Sequence, residues 1–204
     1  MEENFLILID NFFEDPQKIR NCGISDLIFN HRSIINDDIG FYPGIRTKDL
    51  ELINPDLNDT LKTKIEEMTQ KEVVIRSQFH LTSSIHKWGL IHTDECVDIA
   101  GLIYLNENPP VDSGTILCDQ IETPPPIGKE FSESSTTQNL DDIREYAYYK
   151  QIYNQRYFKV NCTVQNKFNR FILYNANTKH APHNYFGNDF IDSRLVLVFW
   201  AKYI

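Results

Sequence analysis

No two of the four cysteines (Cys22, Cys96, Cys118, Cys162) form a CxxC pair, and all four are widely scattered. That argues against a disulfide-stapled secreted scaffold and for a reduced, intracellular setting. Basic residues are also in short supply, 20 against 29 acidic ones, giving a net charge of −9. Such a surface repels phosphate backbones and anionic membranes, so the charge argues against a nucleic-acid-binding module. No apolar run approaches the length of a membrane span, and the first one, FLILI, is too short for a secretory leader. It also follows acidic residues where such a leader carries basic ones. The expectation is a cytoplasmic protein, in a host cytoplasm if the source is viral. The sequons at Asn58 and Asn161 are then incidental, and internal repeats are lacking.

What the chain does have is enough to form a core. Its 204 residues are 41% hydrophobic and 12% aromatic, which suits one packed domain over 1–204. NFLILIDNF (4–12) reads as a buried strand, and Asp15-Pro16 as the start of a short helix through Arg20. FYPGIRT (41–47) is a turn-rich loop. Leu57, Leu61, Ile65 and Met68 place one apolar stripe on a helix over 57–70. Short β-branched segments follow at 73–85, 89–94, 98–106 and 113–119. Residues 120–142, with three consecutive prolines and a Ser/Thr run, read as a mobile insert or lid. A helix over 141–155 then precedes strands at 157–164, 170–181 and 193–204. The sum is an N-terminal α/β section on a core of about eight strands, interrupted by one long insert.

The chemistry concentrates in six histidines, few enough that their placement carries information. In His92-Thr93-Asp94, strand alternation sends His92 and Asp94 to one side, offering one imidazole nitrogen and one carboxylate oxygen to a single ion. A histidine from a later strand completes a facial triad that leaves three positions open on iron(II). TKHAPHN offers two, His180 and His183. Pro182 gives no N–H to a ladder and forces Ala181 to be extended, so His180 ends the strand and His183 lies past it. Arg194 opens the alternating run RLVLVFW, on one face with Val196, Val198 and Trp200. An arginine there is costly unless an anion pairs with it, and its planar fork suits a carboxylate. His31, His80 and His86 fit no ligand spacing, and Cys96 reads as buried packing.

The order HxD, YLN, SGTILC, a distal histidine and RLVLVFW resembles the iron(II)/2-oxoglutarate-dependent dioxygenases over roughly residues 75–204, the prolyl-hydroxylase-like branch above all. NFFEDPQKIRN and FYPGIRT are similar to the leader of a phage-associated set of these proteins. The resemblance implies a mainly β fold with flanking helices around a double-stranded β-helix (jelly-roll, cupin-like) core over 73–204. Residues 1–72 would support it. It implies that His92, Asp94 and His180, with His183 as the alternative, hold Fe(II). Arg194 would bind the distal carboxylate of 2-oxoglutarate. Tyr104 matches a tyrosine that reaches the same carboxylate, where the plain reading is a core tyrosine, and Thr115 falls at a cosubstrate-pocket position. One departure stands out: Val196 replaces a serine that many members place two residues after the arginine. The implied reaction consumes 2-oxoglutarate and O2, releases succinate and CO2, and hydroxylates a protein side chain or a small molecule. A non-catalytic β-barrel that keeps the fold is the rival expectation, and a cupin-like metal enzyme without 2-oxoglutarate leaves Arg194 unexplained.

Overall fold

The computed structural model describes residues 5–32, 44–86, 89–123 and 155–204. The chain opens with β1 (Leu6–Ile9) and α1 (Pro16–Asn30). Asp15 Oδ1 accepts the Lys18 N–H at 3.0 Å, and Pro16 occupies the first helical turn, where its missing N–H costs nothing. The helix runs well past Arg20, the expected end. Leu27 is buried and Ile19, Cys22 and Ile24 pack on the core, so tertiary contact carries the helix across Gly23. That glycine is required by close approach, since a Cβ there would lie 2.6 Å from Phe79 Cδ1.

Two short strands, β2 (His31–Arg32) and β3 (Ile45–Thr47), pair antiparallel. The IRT end of the expected FYPGIRT loop is therefore strand, while 41–43 lie outside the described residues. Next come α2 (Leu50–Ile53) and α3 (Pro55–Thr69). Asn54 Oδ1 caps α3 at Leu57 N, and Gln70 closes it in the left-handed region at φ 55. Leu57, Leu61 and Ile65, spaced four apart, are its buried stripe.

The remaining strands are β4 (Val73–Thr82), β5 (Ile99–Tyr104), β6 (Thr115–Gln120), β7 (Phe158–Val164), β8 (Phe171–Asn175), β9 (Lys179–Pro182) and β10 (Arg194–Tyr203). They form a seven-stranded sheet, β1-β8-β5-β10-β4-β3-β2, and a three-stranded sheet, β7-β6-β9, with every pairing antiparallel. This is the double-stranded β-helix, mostly β with a few helices. The large sheet buries both faces. One face, with Phe79, Ile103, Phe171, Leu197 and Phe199, packs under the helices. The other, with Leu102, Tyr104, Ile172, Tyr174 and Val196, meets Leu117 and Val164 of the small sheet.

Four expectations change here. β1 is a half-exposed edge strand, paired only to β8, with Leu6 and Leu8 facing out. Residues 89–94 make no continuous strand; only His92 bridges to His180. The segment 170–181 divides into β8 and β9 at a turn closed by Thr178 N–H to Asn175 O. Gln120 belongs to β6 rather than to the insert, and residues 124–154 lie outside the described residues, with the rest of the insert and all but the last residue of the helix expected over 141–155.

Phe79 carries the contact between α1 and the sheet. Phe79→Ala should cost about 3–5 kcal/mol in urea unfolding, whereas Val160→Ala, at an exposed site of β7, should cost less than about 0.5 kcal/mol.

Candidate metal centre

Three side chains that could hold a metal converge where the small sheet meets the HTD segment: His92, Asp94 and His180 each offer an atom, all within 4.8 Å of one another. The backbone sets this up. His92 N–H donates to His180 O at 3.0 Å and His180 N–H donates to His92 O at 2.9 Å, so the two imidazoles stand side by side with ring centroids 4.5 Å apart. Asp94 N–H donates to Ala176 O at 3.0 Å, which ties the carboxylate to the turn between β8 and β9.

Each imidazole is oriented the same way. His92 Nδ1 lies 2.8 Å from Leu90 O, and His180 Nδ1 lies 2.9 Å from Thr178 O. A carbonyl only accepts, so both Nδ1 atoms carry a proton and each Nε2 is the ring atom that points at the carboxylate. Those Nε2 atoms face the carboxylate, His92 at 3.9 Å from Asp94 Oδ1 and His180 at 3.4 Å from Oδ2. Burial pushes His180 down to about 4, with His92 adding to the effect and Asp94 opposing it. At neutral pH its Nε2 is unprotonated, as coordination requires. Asp94 is steered in turn by Trp200, whose Nε1–H donates to Oδ1 at 2.8 Å.

His180 does not end its strand, as Pro182 suggested. It is the second residue of β9, opposite Leu117, and Pro182 pairs with Thr115 at the terminus. Pro182 is tolerated because β9 is the outer strand of the small sheet. His183 falls outside the cluster; its N–H donates to Gly114 O at 3.0 Å, and its buried Nδ1 has no partner among the described residues. Cys96 is exposed at φ 65 rather than buried. His80, read as unremarkable, is buried on β4 opposite Val196.

A second group lies on the same face of the large sheet. Arg194 is only 1% exposed, yet its Nε and Nη2 have no hydrogen-bond partner among the described residues. Its guanidinium carbon sits 5.7 Å from the Tyr104 ring centroid. Tyr104 OH donates to Thr115 Oγ1 at 2.6 Å, joining the two sheets. Burial raises the Tyr104 hydroxyl, so it stays a neutral donor. The strand entry that aims Arg194 is held by Asn106, which accepts from Leu195 N–H and donates to Ser193 O, both at 2.8 Å. Tyr174 belongs to both groups: its ring stands 4.7 Å from His180, and its hydroxyl, raised mainly by burial, feels Asp94 and Arg194 alike.

Sequence reasoning missed Trp200 and Tyr174 as parts of this site. For Trp200 a signal existed, since it shares the Arg194 face of β10; Tyr174, in a run of buried residues, gave none.

The fold is that of iron- and 2-oxoglutarate-dependent oxygenases. HygX from Streptomyces hygroscopicus, solved with nickel and 2-oxoglutarate bound, is 14% identical with a TM-score of 0.56, over 98% of this chain and 83% of that one. A prolyl hydroxylase from Trichoplax adhaerens, in complex with a hypoxia inducible factor oxygen degradation domain peptide, is 11% identical at 0.57, over 97% and 83%. A Pseudomonas putida prolyl-4-hydroxylase is 11% identical at 0.56, over 98% and 94%. No curated protein matches the chain in sequence. One family model does, a family of unknown function (DUF6445), over residues 1–184.

The His180 pKa sets a pH window for the metal-free protein. Between about 6.5 and about 4 the unfolded chain takes up a proton that the folded site refuses. Stability should therefore fall as pH drops through this window. His180→Asn should flatten that slope in urea midpoints measured across it.

Proposed function

We propose, from the premise that this chain belongs to the DUF6445 family of unknown function, that it is an iron(II)- and 2-oxoglutarate-dependent oxygenase. The observation that carries the reading is the pairing of a two-histidine, one-carboxylate cluster with a buried arginine, two of whose three nitrogens, Nε and Nη2, have no partner among the described residues. An orphaned buried guanidinium is expensive, and a carboxylate is the partner that its fork fits. A metal enzyme without 2-oxoglutarate, or a barrel kept only for its shape, leaves those donors without a purpose.

In this reading His92, Asp94 and His180 hold the iron, and Arg194 receives the distal carboxylate of 2-oxoglutarate. Thr115 Oγ1, 2.6 Å from the Tyr104 hydroxyl, holds that oxygen in place and can donate to it once the tyrosine turns its single proton to the carboxylate. Val196, where many relatives have a serine, adds packing and no donor, which leaves more of the clamp to Tyr104. When bound, iron and 2-oxoglutarate supply the oxidising chemistry that consumes O2 and yields succinate and CO2. The protein supplies two imidazole Nε2 donors, a fixed carboxylate and a water-poor wall of Leu102, Ile172 and Val196. Residues 1–204 act in this reading as one domain. HygX has also been solved with hygromycin B bound, and the Trichoplax enzyme with a peptide. A small molecule and a protein side chain are accordingly the two substrate classes to test first, with hydroxylation as the expected outcome.

Purified protein given Fe(II), 2-oxoglutarate and O2 should form succinate even without substrate. Asp94→Ala should lower this by at least about a hundredfold. In the same preparation His180→Ala should weaken iron binding far more than His183→Ala; the reverse order would move the ligand to His183. If wild type neither makes succinate nor binds 2-oxoglutarate in an iron-dependent way, the reading fails.

Replacing Arg194 separates ligand binding from folding. Arg194→Met should leave the unliganded protein as stable or more stable, because a buried unanswered charge is replaced by an apolar chain. It should also abolish the further rise in Tm that 2-oxoglutarate gives the metal-loaded wild type, a stabilisation of about 2.7 kcal/mol at a hundredfold excess over Kd.

A further inference from the structure

We propose that Trp200 is a positioning residue that keeps Asp94 on the metal through one oxygen, and so keeps one coordination position open. The inference rests on reading His92, Asp94 and His180 as a metal centre. Its basis is a division of labour between the two carboxylate oxygens. Oδ1 accepts the Trp200 indole N–H at 2.8 Å and stands 3.9 Å from His92 Nε2, while Oδ2 comes closer to the cluster, 3.4 Å from His180 Nε2. An oxygen with one of its two lone pairs on an N–H is a weaker donor to a cation than the oxygen beside it, and turning it fully onto a metal would strand a half-buried indole N–H.

The consequence is arithmetic. An octahedral ion takes six donors. Two imidazoles and one carboxylate oxygen leave three positions, enough for a chelating 2-oxo acid and one small molecule. A carboxylate bound through both oxygens leaves two, which the 2-oxo acid fills. The indole would thereby decide whether a small molecule can reach the metal beside the 2-oxo acid.

Trp200 is held well for this task. In register it lies between Ala100 of β5, whose small side chain leaves room for the indole, and Arg76 of β4. The guanidinium carbons of Arg46 and Arg76 stand 5.4 Å and 5.9 Å from its ring centroid. Arg76 is anchored by Asp49 at 2.8 Å. Two cations beside one indole hold the ring by cation–π attraction and make its N–H a stronger donor.

The test uses cobalt(II) as the metal and azide as the small probe, read by visible absorption. Wild type loaded with cobalt(II) and saturated with 2-oxoglutarate should still bind azide. Trp200→Phe, which keeps an aromatic ring and loses the N–H, should bind azide at least about tenfold more weakly and show an altered cobalt(II) spectrum. Val198→Ala, a packing change on the same face, should lower Tm without moving either readout. An unchanged spectrum and azide affinity in Trp200→Phe would overturn the role of Trp200 alone. Wild type that takes up no cobalt(II), or takes it up as well after Asp94→Ala, would overturn the metal centre and this inference with it. If Trp200→Phe does not fold, wild type decides: zinc(II) should shift the Trp200 indole ¹⁵N–H resonance, identified in a Trp88→Phe background, and no shift would overturn the proposal.

Discussion

A pair of backbone hydrogen bonds between His92 and His180 is the constraint from which the site follows. The two residues are far apart in sequence, and the bridge between them is isolated, yet it places two imidazoles side by side with no help from side-chain attraction. Directly opposed residues in an antiparallel pair have Cβ atoms about 4.5–5.5 Å apart, which suits two ligands of one ion. Asp94 then needs only to reach the same space from two residues further on, and its own N–H on Ala176 holds it there. Among the described residues the HTD segment bridges to β9 alone and is held besides by Asp94 N–H on Ala176 O, while β9 itself pairs with β6. The placing of the cluster is thus tied to the pairing of the small sheet.

The opposite end of the cavity shows a different logic. Arg194 is among the largest fully buried side chains, and two of its donors are unanswered. Stability alone would select a hydrophobic residue at the head of β10, as it has at Leu195 and Leu197. A fold that keeps the guanidinium carries a cost that the proposed carboxylate ligand would relieve. The His180 imidazole is a second instance, since burial holds off its proton. The two ends bear opposite charge, a guanidinium at Arg194 and a carboxylate at Asp94.

The legible parts of the chain were those with a local cause. Asp15-Pro16 started a helix because capping acts within one turn, and Leu57, Leu61 and Ile65 formed a stripe because helical spacing is fixed. HxD and the alternation of RLVLVFW pointed at neighbouring groups for the same reason, strand alternation in each case, with Trp200 of the second reaching Asp94 of the first. What escaped depended on partners distant in sequence. The extension of α1 beyond Arg20 is explained by the Phe79 ring beneath Gly23. The exposure of Leu6 and Leu8 follows from the edge position of β1, and nothing in the run FLILI distinguishes an edge from a centre. Trp200 looked like core because an indole is mostly apolar; only the location of Asp94 reveals the use of its N–H.

The meeting of Gly23 with Phe79 has a meaning beyond the packing of one helix. Phe79 lies opposite Leu197 on β10, the strand that carries Arg194 and Trp200 to the cavity. The space above that strand is a single volume, shared between a ring and the absence of a side chain. Across a lineage, a larger residue at position 23 is acceptable only with a smaller one at 79. The two positions should therefore drift together, and their covariation would record how firmly selection has held the floor beneath the cavity.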